Sequence, residues 1–165
     1  MLIIVEGPDG AGKSTLAREL ADASGSTMFH YGAYLGEPVI APHYFGAVCR
    51  ALHGEDVVMD RSWYSEPIYG AACRGGADRV SAAELRALEL VAAEARAVVV
   101  LCLPPFEVCR EAWAARRDRE YVRLDAQMRT VYDLYAGVRG WALDTCVYDR
   151  TSPGARLRLA ARLFR

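Results

Sequence analysis

Apolar positions along the chain fall into two alternating kinds of segment. Four short runs are rich in β-branched residues, which is typical of strands buried on both faces of a parallel sheet. They occupy residues 2–5, 56–60, 97–103 and 145–149. Residues 26–31 form a weaker fifth candidate. The pattern therefore predicts a sheet whose strands are separated by other elements.

Between these runs, apolar residues recur at helical spacing. Helices are predicted at residues 13–24, 81–97, 105–117, 122–137 and 155–164. Ser81 and Glu84 form a capping box at the start of the second one. Strands that alternate with helices predict an α/β fold, a three-layer sandwich with right-handed crossovers. The 165 residues contain no repeat or linker, so we expect a single domain over residues 1–165.

The first predicted strand is followed by GPDGAGKS, residues 7–14, which fits G-x-x-x-x-G-K-[ST]. Glycines let such a loop turn its N–H groups onto a phosphate, and the following helix adds its positive end. Lys13 then reaches the β- and γ-phosphates, and the Ser14 hydroxyl is a ligand for Mg²⁺. The predicted nucleotide-binding residues are Gly7, Asp9, Gly10, Ala11, Gly12, Lys13, Ser14 and Thr15.

The composition of the chain gives further evidence for a role of Lys13. The chain has 20 basic residues, of which 19 are Arg and one is Lys. This distribution suggests a need for a compact ammonium, rather than a planar guanidinium, at this position; the alternative is that the single Lys lies there by chance. A single lysine also excludes an N/T-K-x-D guanine-reading segment in addition to the loop. The formal net charge of -1 gives no overall attraction to nucleic acid.

The cysteines and the apolar runs bear on location. Five cysteines are scattered without a C-x-x-C pair, which favours free thiols in a reducing compartment. The first residues lack a basic leader, and no apolar run approaches the roughly 20 residues of a membrane helix. We expect a cytoplasmic protein without a membrane partner.

A second group of polar residues follows the predicted strand at 56–60. Asp60 ends that strand and so projects from the carboxyl edge of the sheet, where ligands of open α/β sheets bind. It is a candidate proton acceptor or a Mg²⁺ partner through water, and Arg61 a candidate clamp for a phosphoryl oxygen. The alternative is that Asp60 caps the next helix and Arg61 is a surface charge.

A third group lies at residues 115–123, ARRDREYVR. As a lid, Arg116, Arg117 and Arg119 would close over a triphosphate and stabilise charge on the transferred group. The alternative is a solvated helix end in which Asp118 and Glu120 form local ion pairs.

Residues 6–15, EGPDGAGKST, resemble the phosphate loop of thymidylate kinases, including an aspartate at the position of Asp9. DRSWYSEPIYG resembles that family's D-R-aromatic segment, and RRDREY its arginine-bearing lid. The resemblance implies a five-stranded parallel sheet of the nucleoside-monophosphate-kinase kind, a site for ATP and Mg²⁺, and commonly a homodimer. It places a pyrimidine-nucleotide acceptor beside Asp9, Arg61 and Tyr69.

Aromatic residues near this site are further candidates for binding the acceptor. Tyr34 and Tyr64 could stack on a free nucleotide or on a base held out of a duplex. The alternative for each is a place in the core.

The sequence also departs from the thymidylate kinase pattern. An Arg-Glu-Pro segment whose Arg holds thymidylate is replaced by Gly36, Glu37 and Pro38. Asp60-Arg61-Ser62 resembles instead the Glu-Arg-Ser of deoxynucleoside kinases, where the carboxylate deprotonates a hydroxyl. The chain most resembles compact phage kinases of this group, which include 5-hydroxymethyluracil DNA kinases.

The expected activity is an ATP- and Mg²⁺-dependent phosphotransfer to a thymine-type acceptor. The first candidate is the 5-hydroxymethyl group of 5-hydroxymethyluracil in phage DNA, with the enzyme acting in the host cytoplasm. The alternative is free thymidylate, and a second alternative is a nucleotide-dependent regulatory ATPase. Loss of the Arg at Gly36, with Asp60 retained, favours a neutral hydroxyl acceptor over an anionic phosphate.

Overall fold

The computed structural model describes residues 1–32, 39–138 and 140–164, with only the backbone of Arg119. Within these ranges the chain forms five strands and seven α-helices. The strands are β1 Leu2–Glu6, β2 Thr27–His30, β3 Val57–Asp60, β4 Val98–Cys102 and β5 Asp144–Tyr148. The helices are α1 Lys13–Ser24, α2 Ala41–Leu52, α3 Ser65–Cys73, α4 Ala82–Glu94, α5 Phe106–Ala114, α6 Asp125–Ala136 and α7 Ala155–Leu163.

All five strands are parallel, in the order β2-β3-β1-β4-β5. The predicted α/β class and five-stranded parallel sheet are therefore confirmed. Parallel strands place their carboxyl ends along one edge, so the residues that end β1, β2 and β3 lie side by side there. This arrangement brings together segments that are far apart in sequence.

The sheet separates two apolar clusters. Ile3 and Val5 of β1 face the cluster formed with α1, α5, α6 and α7. Leu2 and Ile4 face the other one, formed with α2 and α4. Every residue of β1 is buried, as expected of a central strand covered by helices on both faces.

The two edge strands, β2 and β5, are less buried than the sequence pattern predicts. Most residues of β2 and β5 are only partly buried, and Val147 is 66% exposed. An edge strand has a neighbour on one side only, so less of its surface is covered.

Two helices, α2 and α3, were not predicted from the sequence. α2 contains Pro42 and Gly46, and α3 contains Pro67 and Gly70. Proline is tolerated in the first turn of a helix, but both residue types lower the helical signal of a short window. Residues 105–117 were expected to be one helix; it ends at Ala114 and is followed by a short 3₁₀ turn at Arg117–Arg119.

None of the helices in the described ranges is both long enough and apolar enough to cross a membrane.

The capping box predicted for α4 is present. Ser81 Oγ accepts a hydrogen bond from the Glu84 N–H at 3.2 Å, and the Ser81 N–H donates to Glu84 Oε2 at 2.8 Å. Ser81→Ala is expected to lower the free energy of unfolding by about 1 kcal/mol, and Ser81→Gly by only a few tenths. Urea denaturation of the two variants measures the difference, and an unchanged midpoint for Ser81→Ala would show that the cap contributes nothing.

Candidate active site

The phosphate loop lies between β1 and α1. Its three glycines adopt positive φ angles, 141° at Gly7, 74° at Gly10 and 91° at Gly12. Two of them also approach neighbouring backbone closely. A methyl group on Gly7 would lie 2.2 Å from the carbonyl oxygen of Cys102, and one on Gly10 would lie 2.1 Å from that of Cys109. The loop is thus held against β4 and α5 at contacts that only glycine permits.

Lys13 begins α1 and lies under this loop. Its side chain is buried, and Nζ donates a hydrogen bond to the carbonyl oxygen of Pro8 at 2.6 Å. Burial and the charge of Arg61 lower the pKa of Lys13, although Asp9 and Asp60 oppose the shift. Other loop residues differ in exposure: Ala11 is buried, whereas Ser14 and Thr15 are exposed at the start of the helix. Hydroxyls there can reach a ligand at the helix N-terminus.

Asp60 ends β3 with its side chain fully buried. Oδ2 lies 2.6 Å from His30 Nδ1, whereas Oδ1 has no hydrogen-bond partner in the described part of the chain. Burial alone would raise the pKa of Asp60, but the hydrogen bond from His30, the nearby Ser14 hydroxyl and the charge of Lys13 outweigh it and lower the pKa. Asp60 is therefore a charged carboxylate beside the phosphate loop, with one oxygen free to accept a hydrogen bond. It is not a helix cap, because α3 begins five residues later.

Arg61 is not a surface charge either. Its guanidinium donates to Asp9 Oδ1, and its Cζ lies 4.9 Å from the centre of the Tyr69 ring. The Tyr69 hydroxyl donates to the same Asp9 oxygen at 2.9 Å. Burial alone would raise the pKa of Asp9, but the charges of Arg61 and Lys13 outweigh it and lower the pKa. The three predicted acceptor-site residues thus contact one another.

Glu6 is a site residue that the sequence analysis did not single out. It ends β1 and is fully buried. Oε1 accepts from the Ser62 N–H at 2.7 Å and from Ser62 Oγ at 2.8 Å, and Oε2 accepts from Ser65 Oγ and Tyr135 OH, both at 2.9 Å. A carboxylate directly after a buried apolar strand is the signal that could have found it, because such a charge requires partners.

The structure corrects the interpretation of Tyr64. Its side chain is buried, its ring stacks on Trp141 at a centroid distance of 4.3 Å, and its hydroxyl donates to Glu89 at 2.8 Å. Both the ring and the hydroxyl thus contact other parts of the protein. Tyr64 therefore occupies a place in the core, the alternative that the sequence left open. Tyr34 and Gly36 lie outside the described residues.

Two arginines of the predicted lid, Arg116 and Arg117, lie at the surface. Arg116 is 58% exposed and pairs with Glu120 at 3.1 Å. Arg117 is exposed, with its Cζ 5.9 Å from the centre of the Trp113 ring. The side chain of Arg119 lies outside the described part. Arg116 and Arg117 thus form the solvated helix end that was the alternative to a lid. Closure of this segment over a nucleotide stays a prediction.

The residues present fit a nucleotide-bound Mg²⁺ ion. Within the described ranges, no group of three His, Cys, Asp or Glu side chains could hold a metal. Mg²⁺ that arrives with a nucleotide takes most of its ligands from phosphate and water. The exposed Ser14 hydroxyl supplies a protein oxygen of the kind that such an ion requires, and the Asp60 carboxylate can accept a hydrogen bond from one of its water ligands.

No protein-family model matches the sequence, and no curated protein matches it. Solved structures share its fold. The YorR protein of Bacillus subtilis, in complex with phosphorylated GDP, is 21% identical with a TM-score of 0.74, over 99% of this chain and 94% of that one. Deoxyadenosine kinase of M. mycoides with bound dATP is 17% identical with a TM-score of 0.65, over 99% of both chains.

A third structure, shikimate kinase of Acinetobacter baumannii in complex with shikimate, is 17% identical with a TM-score of 0.54, over 99% of this chain and 90% of that one. At these identities the likeness establishes a common fold.

The loop geometry leads to a stability prediction. Gly7→Ala is expected to lower the free energy of unfolding by about 2–4 kcal/mol, because it adds a backbone clash to the strain of a positive φ. Gly25→Ala is the matched control, since Gly25 has a φ of 67° and no atom of the described residues lies within 4 Å of an added methyl group. It should cost about 1 kcal/mol. Equal losses in urea denaturation would show that the approach to Cys102 is unimportant.

Proposed function

We propose that the chain is an ATP-dependent phosphotransferase of the P-loop kinase kind, which transfers the γ-phosphoryl group to a hydroxyl of a nucleoside-type acceptor. The donor half of the proposal rests on the glycine loop, the buried Lys13 and the exposed Ser14 at the start of α1. Backbone N–H groups at residues 10–14 hold the triphosphate, and the Lys13 ammonium neutralises its β and γ oxygens.

The observation that carries the acceptor half is the unpartnered Oδ1 of Asp60. A buried, ionised carboxylate oxygen without a donor is costly, so a ligand that donates to it is favoured. A hydroxyl supplies such a donor, whereas a phosphate dianion presents only acceptors and like charge.

Cations near the acceptor side support the same choice. Arg61 is engaged by Asp9, and both Arg74 and Arg79 pair with the buried Glu66, at 3.0 and 2.9 Å. A second phosphate that binds any of these three arginines would have to separate one of these buried pairs. A neutral acceptor leaves all three intact.

The transfer can be written in terms of these residues. The acceptor O–H donates its proton to Asp60 Oδ1 as its oxygen bonds to the γ-phosphorus, and the bond from that phosphorus to the β–γ bridging oxygen breaks to release ADP. Lys13 stabilises charge that develops on the phosphoryl oxygens. Asp9 and Tyr69 hold Arg61 beside the acceptor. Bound Mg²⁺, held through Ser14 and through water by Asp60, supplies further charge neutralisation.

The finer proposal concerns which hydroxyl is used. The 5-hydroxymethyl group of 5-hydroxymethyluracil in DNA comes first, on the resemblance to compact phage kinases and the replacement of an acceptor-binding Arg by Gly36. A free deoxynucleoside is the second candidate, favoured by the likeness to a deoxyadenosine kinase over 99% of both chains. Free thymidylate comes third, because its phosphate needs cations that are already paired.

Incubation with γ-labelled ATP and separate acceptors distinguishes these candidates. The panel contains 5-hydroxymethyluracil DNA, matched thymine DNA, the four deoxynucleosides and thymidylate. Label in the modified DNA alone supports the first candidate, label in a deoxynucleoside the second, and label in thymidylate the third. Release of inorganic phosphate without acceptor labelling would contradict a kinase and favour a nucleotide-dependent ATPase.

Lys13→Met keeps the buried stem and removes the ammonium. Transfer is expected to fall by at least about 10²–10³-fold, because charge on the transferred group loses its main protein partner. Arg18→Met is the matched control, since Arg18 is an exposed cation on the same helix. Initial rates with labelled ATP measure both variants. Near-parental turnover by Lys13→Met would exclude the loop as the donor site.

Asp60→Asn preserves the size of the side chain and removes its charge. With a hydroxyl acceptor kcat is expected to fall about 10²–10⁴-fold, because the proton acceptor is lost. Asp56→Asn, which lies just before the opposite end of β3 and is half exposed, should leave kcat unchanged. If Asp60→Asn keeps a normal kcat, Asp60 does not accept the proton.

A further inference from the structure

His30 and Asp60 end two neighbouring strands. β2 and β3 are parallel, and their register pairs His30 directly with Asp60 at the carboxyl edge of the sheet. The proximity of the two side chains is therefore fixed by backbone hydrogen bonding, not by a loop. No role for His30 follows from the sequence alone.

Side-chain alternation along β2 determines which face His30 occupies. Met28 packs against the cluster that includes α1, whereas Phe29 and Tyr31 pack in the cluster on the opposite face. His30 lies two residues after Met28 and so shares the face of α1, where the phosphate loop ends and Ser14 lies. The imidazole and the donor site are thus on the same side of the sheet.

The two side chains are joined by one short hydrogen bond. His30 Nδ1 lies 2.6 Å from Asp60 Oδ2; the imidazole is 58% exposed, whereas the carboxylate is fully buried. An ionised carboxylate only accepts hydrogen bonds, so Nδ1 carries the proton. The other nitrogen, Nε2, lies beside Gly32, where an added methyl group would be 3.3 Å away.

We infer that His30 is a positioning residue: its Nδ1–H fixes Oδ2 of Asp60 and thereby directs Oδ1 toward the acceptor hydroxyl. Without that bond, the carboxylate could rotate about its terminal torsion, which is broad and nearly two-fold. The inference rests on the proposed function, since it assigns His30 a part in the transfer that Asp60 performs. Holding a reacting group in one orientation is a source of rate that small displacements remove.

Three substitutions at His30 distinguish the contribution of Nδ1 from that of Nε2. Asparagine places an N–H donor near the position of Nδ1, glutamine places one near that of Nε2, and alanine has neither. His30→Asn is expected to keep kcat within about 3-fold of the parent, whereas His30→Gln and His30→Ala lose about 10- to 100-fold. The KM for ATP should stay unchanged in all three, because the phosphate loop is intact.

The control is His53, an exposed histidine whose Nδ1 also bonds a neighbouring group, the carbonyl oxygen of Cys49 at 2.7 Å. His53→Ala should leave kcat unchanged. Equal losses in all three His30 variants would contradict the inference, and so would rescue by glutamine but not by asparagine. A purely structural role would lower stability without this ordering, which thermal melts of the same variants check.

A second measurement does not depend on activity. Long-range ¹H–¹⁵N spectra of the parent protein at pH 8 should show His30 with its proton on Nδ1. A proton on Nε2 with none on Nδ1 would overturn the inference even if a kinase activity is found. If His30 is protonated on Nδ1 but no acceptor in the panel is phosphorylated, the proposed function fails while the contact itself stands.

Discussion

The candidate site depends on a buried carboxylate at the end of the central strand. Glu6 is fully buried, yet each of its oxygens accepts two hydrogen bonds, from Ser62, Ser65 and Tyr135. A buried carboxylate is tolerable only when it is paired or fully hydrogen-bonded, and removal of one hydrogen-bond partner from a buried polar group typically costs about 1–3 kcal/mol. Glu6 therefore fixes the segment after Asp60 to β1 and to α6. In this respect Glu6 differs from Asp9 and Asp60, each of which has one oxygen without a hydrogen-bond partner among the described residues.

Backbone strain at Arg61 follows from the position of these carboxylates. Arg61 adopts a φ of 74°, which costs an L-residue roughly 1–2 kcal/mol. The reversal lets its N–H donate to the carbonyl oxygen of Val5 at 2.9 Å while its guanidinium reaches Asp9. Asp60, one residue earlier, turns instead toward His30. Two consecutive residues thus direct their side chains to different partners along one edge of the sheet.

The sequence predicts the residues of the phosphate loop better than those at the proposed acceptor side of the candidate site. Lys13, Ser14 and the loop glycines were predictable because their chemistry is local: a fixed spacing between a strand and a helix. Glu6 and His30 were not, because their partners lie at Ser62, Tyr135 and Asp60, and only strand order brings these together. For Tyr64 the choice between the acceptor site and the core could not be made for the same reason, since nothing near it in sequence indicates Glu89 or Trp141.

Charge pairing also determines which acceptor the site can accommodate at low cost. A phosphate dianion that binds Arg61 would leave Asp9 buried without its cation, and one that binds Arg74 or Arg79 would compete with Glu66. Breaking either pair costs several kcal/mol before any gain from the new contact. Exposed arginines such as Arg116 form pairs worth at most about 1 kcal/mol, so they are the cheaper source of cations. Under the proposed function, a phosphate acceptor would therefore draw its cations from the surface arginines, whereas a hydroxyl acceptor would use the oxygen of Asp60 that has no partner among the described residues.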